Sequence, residues 1–210
     1  MIFPKVYPIL DTTVFERRQF SLLEAARIYL ECGVHLLQWR CKTAIGREQL
    51  DEADRLAALC HRHSAMLIIN DRADVALMTG AHGVHVGQDD MPPEMVRHIM
   101  GPRAIIGFST HNREQFVAAT RLPVDYIALG PIFGTLNKQN PDPAVGLNTL
   151  RLCAGLTGLP VVAIGGIMRS NAPEVWAEGA ASVAVIGDLV PEPCDADSLR
   201  QRVYAWMRIL

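Results

Sequence analysis

The sequence predicts a (β/α)8 barrel, and three observations carry that prediction. Eight short apolar runs are spaced along the chain, helical patterns with capping signals fill the intervals, and no Ser/Gly-rich linker or low-complexity tract interrupts the 210 residues. Alternation of strand and helix patterns is the signature of a parallel α/β architecture. With half its residues hydrophobic and one fifth charged, the chain is large enough to bury one substantial core, so a single domain over residues 1–210 is expected. An open doubly wound sheet is the architectural alternative, because the same units can be laid flat. In both architectures ligands bind beyond the C-terminal ends of the strands.

The elements follow in order. Residues 5–10 (KVYPIL) form the first run, before a helical pattern, SLLEAARIYLEC, that opens with the capping-box spacing Ser21 to Glu24. The second run, 34–39 (VHLLQW), leads into REQLDEADRLAALCHRH, where Leu50, Ala53, Ala57 and Cys60 share one helical face. The third and fourth, 66–70 (MLIIN) and 83–87 (GVHVG), both stop at acids, with Asn70-Asp71 after one and Asp89-Asp90 after the other. After the fifth, 104–108 (AIIGF), Asn112 and Gln115 repeat the capping signature; after the sixth, 125–130 (DYIALG), comes the long loop GPIFGTLNKQNPDPAVGL. The seventh, 160–164 (PVVAI), runs into Gly165-Gly166 and a further cap pair, Asn171 and Glu174, and the eighth is 182–186 (SVAVI). Short Val/Ile/Leu runs of this kind suit strands buried on both faces.

Composition excludes several function classes. A formal charge of −2 and a pI near 6.4 provide no global field to attract nucleic acid or an anionic membrane. The five cysteines are odd in number and lack C-x-x-C spacing, which argues against a disulfide framework or a zinc knuckle and fits a reducing cytoplasm. MIFPKVYPIL is too short and proline-broken for a signal or spanning segment, and no later apolar run approaches about 18 residues. A soluble cytoplasmic protein acting on small molecules is therefore expected, with a homo-oligomer left open. His61 with His63, and His82 with His85, read as structural histidines, since neither pair has a third metal ligand nearby.

The strand ends gather the chemistry. In QWRCK, alternation sends Gln38, Arg40 and Lys42 to one side and Trp39 and Cys41 to the other. Asn70-Asp71 and Asp90 end strands three and four, Ser109 and His111 end strand five, and Thr135, Asn137 and Lys138 lie in the loop after strand six. Taken alone, Asp89 or Asp90 reads as a cap for PPEMVRHIM; paired with Asp71, Asp90 reads as half of a cation site. Gly165-Gly166 and Ile186-Gly187 offer bare backbone amides, the usual phosphate cradle after strands seven and eight of a barrel. One region is cationic and metal-capable and suits a diphosphate with Mg²⁺; the other is neutral and suits a monophosphate. A cation about 4 Å from a phosphate charge contributes roughly 4 kcal/mol at an effective dielectric near 20, before desolvation. Three such cations and a metal reach about 10 kcal/mol, the low end of enzymatic barrier reduction. No Ser-His-Asp or Cys-His arrangement stands beside them.

The ordered set QWRCK, NDRADVAL, GVHVGQDD, GFSTH, GPIFGTLNK and AIGGI resembles the thiamine-phosphate synthase family of (β/α)8 enzymes, from about Tyr7 through Val190. The resemblance implies a transferase that condenses 4-amino-2-methyl-5-hydroxymethylpyrimidine diphosphate with a thiazole phosphate, releasing pyrophosphate, with Mg²⁺ as cofactor. It places the pyrimidine diphosphate on Gln38, Trp39, Arg40, Cys41, Lys42, Asn70, Ser109 and Lys138, and the metal on Asp71 and Asp90. Arg40, Lys42, Ser109 and Lys138 are the implied catalytic groups. The thiazole phosphate would meet Thr135, Leu136, Asn137, Gly166, Ile186 and Gly187. The chain departs from the family pattern at Asn137, where a Thr is usual, at Gly187-Asp188, where Ser-Ala is usual, and at Cys41, where a Glu is common and where alternation implies a packing role. A phosphate at the cradle requires Asp188 to point away from it. Two other readings of the same fold are a thiazole tautomerase-like isomerase, with His111 as acid-base group, and a non-catalytic thiazole-phosphate-binding regulatory module.

Overall fold

The computed structural model describes residues 3–134 and 143–210. The expected closed barrel is present: eight parallel strands pair in sequence order, and β1 closes on β8. The strands are β1 (Val6–Asp11), β2 (Leu36–Arg40), β3 (Met66–Asn70), β4 (Gly83–Val86), β5 (Ile105–Thr110), β6 (Tyr126–Leu129), β7 (Val161–Ile164) and β8 (Ser182–Val185). The open-sheet alternative is excluded by the β1–β8 register, in which Val6, Tyr7 and Pro8 face Val183, Ala184 and Val185.

Around the barrel run α1 (Thr12–Arg17), α2 (Leu22–Glu31), α3 (Arg47–Arg62), α4 (Ala73–Thr79), α5 (Pro93–Met100), α6 (Arg113–Ala119), α7 (Gly146–Ala154), α8 (Ala172–Ala177) and α9 (Ala196–Met207). Helix α1 has no counterpart in the sequence pattern, since TTVFER is short and buries only Thr12 and Phe15. Ser21 caps α2 by accepting from the Glu24 amide, and Asn112 caps α6 by accepting from the Gln115 amide. Asn171 precedes α8 as expected but does not cap it; its Oδ1 accepts instead from the Met168 amide, tightening the loop after β7. On α3 the buried stripe is Ala53, Leu56, Ala57 and Cys60, with Leu50 at its edge.

Two apolar layers hold the fold. Outward-facing strand residues such as Leu37, Trp39, Ile69 and Val84 pack under the helices. Inward-facing residues, among them Phe3, Tyr7, Ile68, Ile105, Tyr126 and Ala184, fill the barrel. Alternation along each strand thus divides its side chains between the two layers. All five cysteines are free thiols. No described helix is long and apolar enough to cross a membrane.

Candidate active site

The closed barrel brings the C-terminal strand ends of β1 to β5 onto one rim. Register alone sets the first pair, because Asp11 at the end of β1 lies opposite Arg40 at the end of β2. The Arg40 guanidinium donates to the Asp11 carboxylate, which is buried and whose other oxygen accepts from the Val14 amide at 3.2 Å and caps α1. One carboxylate therefore orients both a helix and a cation. Asp11 was absent from the sequence-based set, since an acid before a helix reads as a cap and its partner is 29 residues away.

The second pair is Lys42 and Asp71, with Lys42 Nζ donating to Asp71 Oδ2 at 2.5 Å. Asp71 adopts a left-handed backbone with φ of 63°, which costs energy for a non-glycine residue and is least unfavourable for Asn and Asp. Its amide donates to the His85 carbonyl at 2.7 Å, which holds that conformation. Burial raises the Asp71 carboxyl above the ordinary carboxylate range, and the neighbouring Asp90 adds to the shift while Lys42 opposes it. Asp90 is held in turn by the Gly87 amide, which donates to its Oδ2 at 2.8 Å. It does not cap α5, whose N-cap is Pro92.

Two carboxylates from β3 and β4 therefore face one another, one of them resisting ionisation. A carboxyl with a raised folded pKa makes ionisation cost stability above its unfolded pKa, so at neutral pH the charged form carries that cost. Asp71→Asn removes it and also suits the left-handed backbone; the expected result is an unfolding midpoint above that of the wild type at pH 7, read by a thermal melt.

Among the described residues, no three His, Cys, Asp or Glu side chains converge to hold a metal by themselves. Asp71 and Asp90 fit a hard divalent ion that completes its shell with water and substrate oxygens, as Mg²⁺ does, and do not fit a closed protein cage. Asn70, buried at the end of β3, leaves its Nδ2 without a partner, a donor in want of an acceptor.

Below the rim lies a hydrogen-bonded row that the sequence reading did not find. Gln38 Nε2 donates to Tyr7 Oη at 3.0 Å, the two tyrosine hydroxyls lie 3.1 Å apart, and Tyr126 Oη is 2.8 Å from His85 Nδ1. His85 Nε2 is 2.7 Å from Ser109 Oγ. Burial pushes the His85 imidazole down to about 4 and raises both tyrosine hydroxyls, so the row is uncharged at neutral pH.

His85 is thus an inward-facing residue of β4 and not merely the flank of a strand. Its expected companion, His82, packs instead against His61, with ring centroids 4.9 Å apart and the planes tilted by 37°. Gly107 explains how His85 reaches Tyr126. The register aligns His85, Gly107 and Tyr126 across β4, β5 and β6, and a Cβ on Gly107 would lie 2.0 Å from Tyr126 Cζ and 2.5 Å from His85 Nδ1. Gly107→Ala is expected to destabilise the fold by about 3 kcal/mol, measured by denaturant titration, because both neighbours are locked in the row.

The remaining expected residues separate into groups. Trp39 and Cys41 turn into the outer layer, where Trp39 Nε1 donates to Glu52 at 2.8 Å and the Cys41 thiol meets Thr43 Oγ1 at 3.2 Å, so only their backbones border the rim. Ser109 is at the rim, with its carbonyl accepting from Gln88 Nε2 at 2.5 Å. His111 Nδ1 is 3.0 Å from the Gly130 carbonyl. Gly165 and Gly166 take positive φ values of 96° and 65°, and a Cβ on either would collide with Pro131 or Phe133. Their lack of side chains is thus already required by packing against the loop after β6.

Asp188 turns away from Ile186 and Gly187. Its carboxylate accepts from the Arg169 amide at 3.0 Å and from Trp206 Nε1 at 2.8 Å, and its carbonyl accepts from Arg202 Nη1 at 2.8 Å. Thr135, Leu136, Asn137 and Lys138 lie outside the described residues.

With this geometry in place, the comparisons with known proteins are specific. The family profile described as thiamine monophosphate synthase matches residues 6–189. The thiamine-phosphate synthase of Koribacter versatilis (strain Ellin345) is 46% identical over 209 residues, covering 99% of this chain and 96% of the relative. That of Caldicellulosiruptor bescii is 37% identical over 190 residues, covering 90% and 85%. A solved structure of thiamine phosphate pyrophosphorylase from Pyrococcus furiosus superposes with a TM-score of 0.84 at 34% identity, over 98% of this chain and 94% of that one.

Proposed function

The chain belongs to the thiamine monophosphate synthase family, and from that premise we propose that it transfers a hydroxymethylpyrimidine group from its diphosphate to the nitrogen of a thiazole phosphate. The products are thiamine phosphate and pyrophosphate. The observation that carries this reading is the rim itself: Arg40 and Lys42 lie with Asp71 and Asp90, and the one Ser–His contact there, Ser109 with His85, has its imidazole turned to Tyr126 and not to an orienting carboxylate. Such a site stabilises a departing anion and does not attack a substrate.

In the proposed reaction the C–O bond to the diphosphate breaks first. The aminopyrimidine ring spreads the resulting positive charge, and the thiazole nitrogen then supplies the electron pair for the new C–N bond. Asp71 and Asp90 would hold Mg²⁺, which when bound neutralises charge on the diphosphate oxygens. Arg40, oriented by Asp11, is positioned to meet the same oxygens. Lys42 is engaged by Asp71 in the free protein and exchanges that partner for the diphosphate. Asn70 Nδ2 and Ser109 would contact the pyrimidine diphosphate, and the row beneath them closes the barrel to water, favouring capture by the thiazole over capture by water. The thiazole phosphate is assigned to the backbone of Gly166, Ile186 and Gly187, an assignment supported by the outward turn of Asp188. Thr135, Leu136, Asn137 and Lys138 complete the proposed contacts from the loop after β6.

Incubation of the purified protein with both substrates and Mg²⁺ tests the proposal. The expected result is equimolar pyrophosphate and thiamine phosphate, and no pyrophosphate when the metal is chelated. A tautomerase-like isomerase or a binding module would release none under any condition.

A further inference from the structure

The row beneath the rim has a direction, and donor counting fixes it. Gln38 Nε2 has only hydrogens to give, so Tyr7 Oη accepts from it. Among the described residues the acceptor for the Tyr7 hydroxyl proton is Tyr126 Oη at 3.1 Å, and both rings pack against Phe3. The Tyr126 proton in turn has one acceptor, His85 Nδ1. Nδ1 must therefore carry a lone pair, which leaves the imidazole proton on Nε2 and pointing at Ser109 Oγ. A doubly protonated ring would strand the Tyr7 proton in the barrel interior, a loss the buried site cannot recover from solvent. Ser109 Oγ, already accepting from His85, has no acceptor for its own proton among the described residues.

We propose that His85 is a positioning residue: the ordered row Gln38, Tyr7, Tyr126, His85 fixes its tautomer and thereby aims the Ser109 hydroxyl proton into the mouth of the barrel. Ser109 consequently presents a donor to the ligand bound there, and the matching ligand feature is a hydrogen-bond acceptor with a free lone pair. The identification of that acceptor with a substrate atom rests on the synthase reading; the proton order does not. Gly107 belongs to the same device, since any side chain there would separate Tyr126 from His85.

The test uses the whole protein labelled with ¹⁵N-histidine and no substrate. Long-range ¹H–¹⁵N correlation reads each ring's protonation, and His85→Asn identifies the His85 signals by their disappearance. The expected state is neutral with the proton on Nε2. Tyr126→Phe, which keeps the ring and its packing, removes the donor to Nδ1; it should mix the two tautomers and lower kcat/KM for the pyrimidine diphosphate about tenfold, with KM for the thiazole phosphate unchanged. Tyr7→Phe leaves Tyr126 free to donate, so the tautomer should persist with a smaller loss of rate. A proton on Nδ1 in the wild-type protein, or a doubly protonated ring, overturns the proposal. So does equal damage from the two Phe variants, which would mark a packing role alone. If the Nε2–H state is found while the wild type releases no pyrophosphate, the synthase reading fails and the proton order stands.

Discussion

Asp71→Ala and Asp90→Ala should each lower Mg²⁺-dependent pyrophosphate release by about 1,000-fold, with KM for the thiazole phosphate little changed. The two side chains arrive from β3 and β4 and are arranged before any ligand is present: Asp71 by a left-handed backbone pinned to the His85 carbonyl, Asp90 by the Gly87 amide. In the proposed site two carboxylates among the described residues would hold the metal and water and substrate would complete its shell, so loss of either one should remove a large share of the protein's grip. Asp71→Asn separates stability from function, because it should make the free protein more heat-resistant while abolishing turnover. A variant that lost activity by unfolding would show the opposite melt. Rates are followed by a coupled pyrophosphate assay across a range of Mg²⁺ concentrations.

Arg40→Ala is expected to have two effects of different origin. It removes a cation from the proposed diphosphate site, and it leaves the buried Asp11 carboxylate without its counter-ion. Removing one partner of a buried pair costs about 3–5 kcal/mol; since Arg40 is partly exposed, about 2–3 kcal/mol is expected here. Asp11→Asn retains an oxygen to cap α1, so adding it to Arg40→Ala should recover most of the lost stability. It should recover none of the activity, because the missing cation is not replaced. Denaturant titrations of the two single variants and the double variant, alongside their rates, separate the two effects.

The parts of this architecture that are local in sequence were legible there. Strand positions follow from short Val/Ile/Leu runs, and the division of Gln38, Arg40 and Lys42 from Trp39 and Cys41 follows from a period of two, as the inner and outer layers now display. Features that depend on barrel closure were not legible. The row from Gln38 to Ser109 joins residues 31, 119, 41 and 24 positions apart, and neither Tyr7 nor Tyr126 carries any mark in its own strand that distinguishes it from a core aromatic. The inward parity of His85 on β4, between Val84 and Val86, is a mark of its role, but the nearby His82 makes the two read together as a histidine pair. Asp11 was hidden by its second role as a cap. Asn171 shows the converse error, in which correct cap spacing accompanies a side chain that bonds elsewhere, to the loop that carries Gly166.

In the proposed chemistry, acidic and basic side chains act jointly on one magnesium-bound diphosphate at this rim. Calorimetric titration of pyrophosphate into the wild-type protein and into Asp71→Asn/Asp90→Asn, each with and without Mg²⁺, measures that joint action directly. Binding to the wild type should require Mg²⁺ and should disappear in the double variant. Equal affinity in all four titrations would show that the two carboxylates take no part in holding the leaving group, and the proposed chemistry would have to be abandoned.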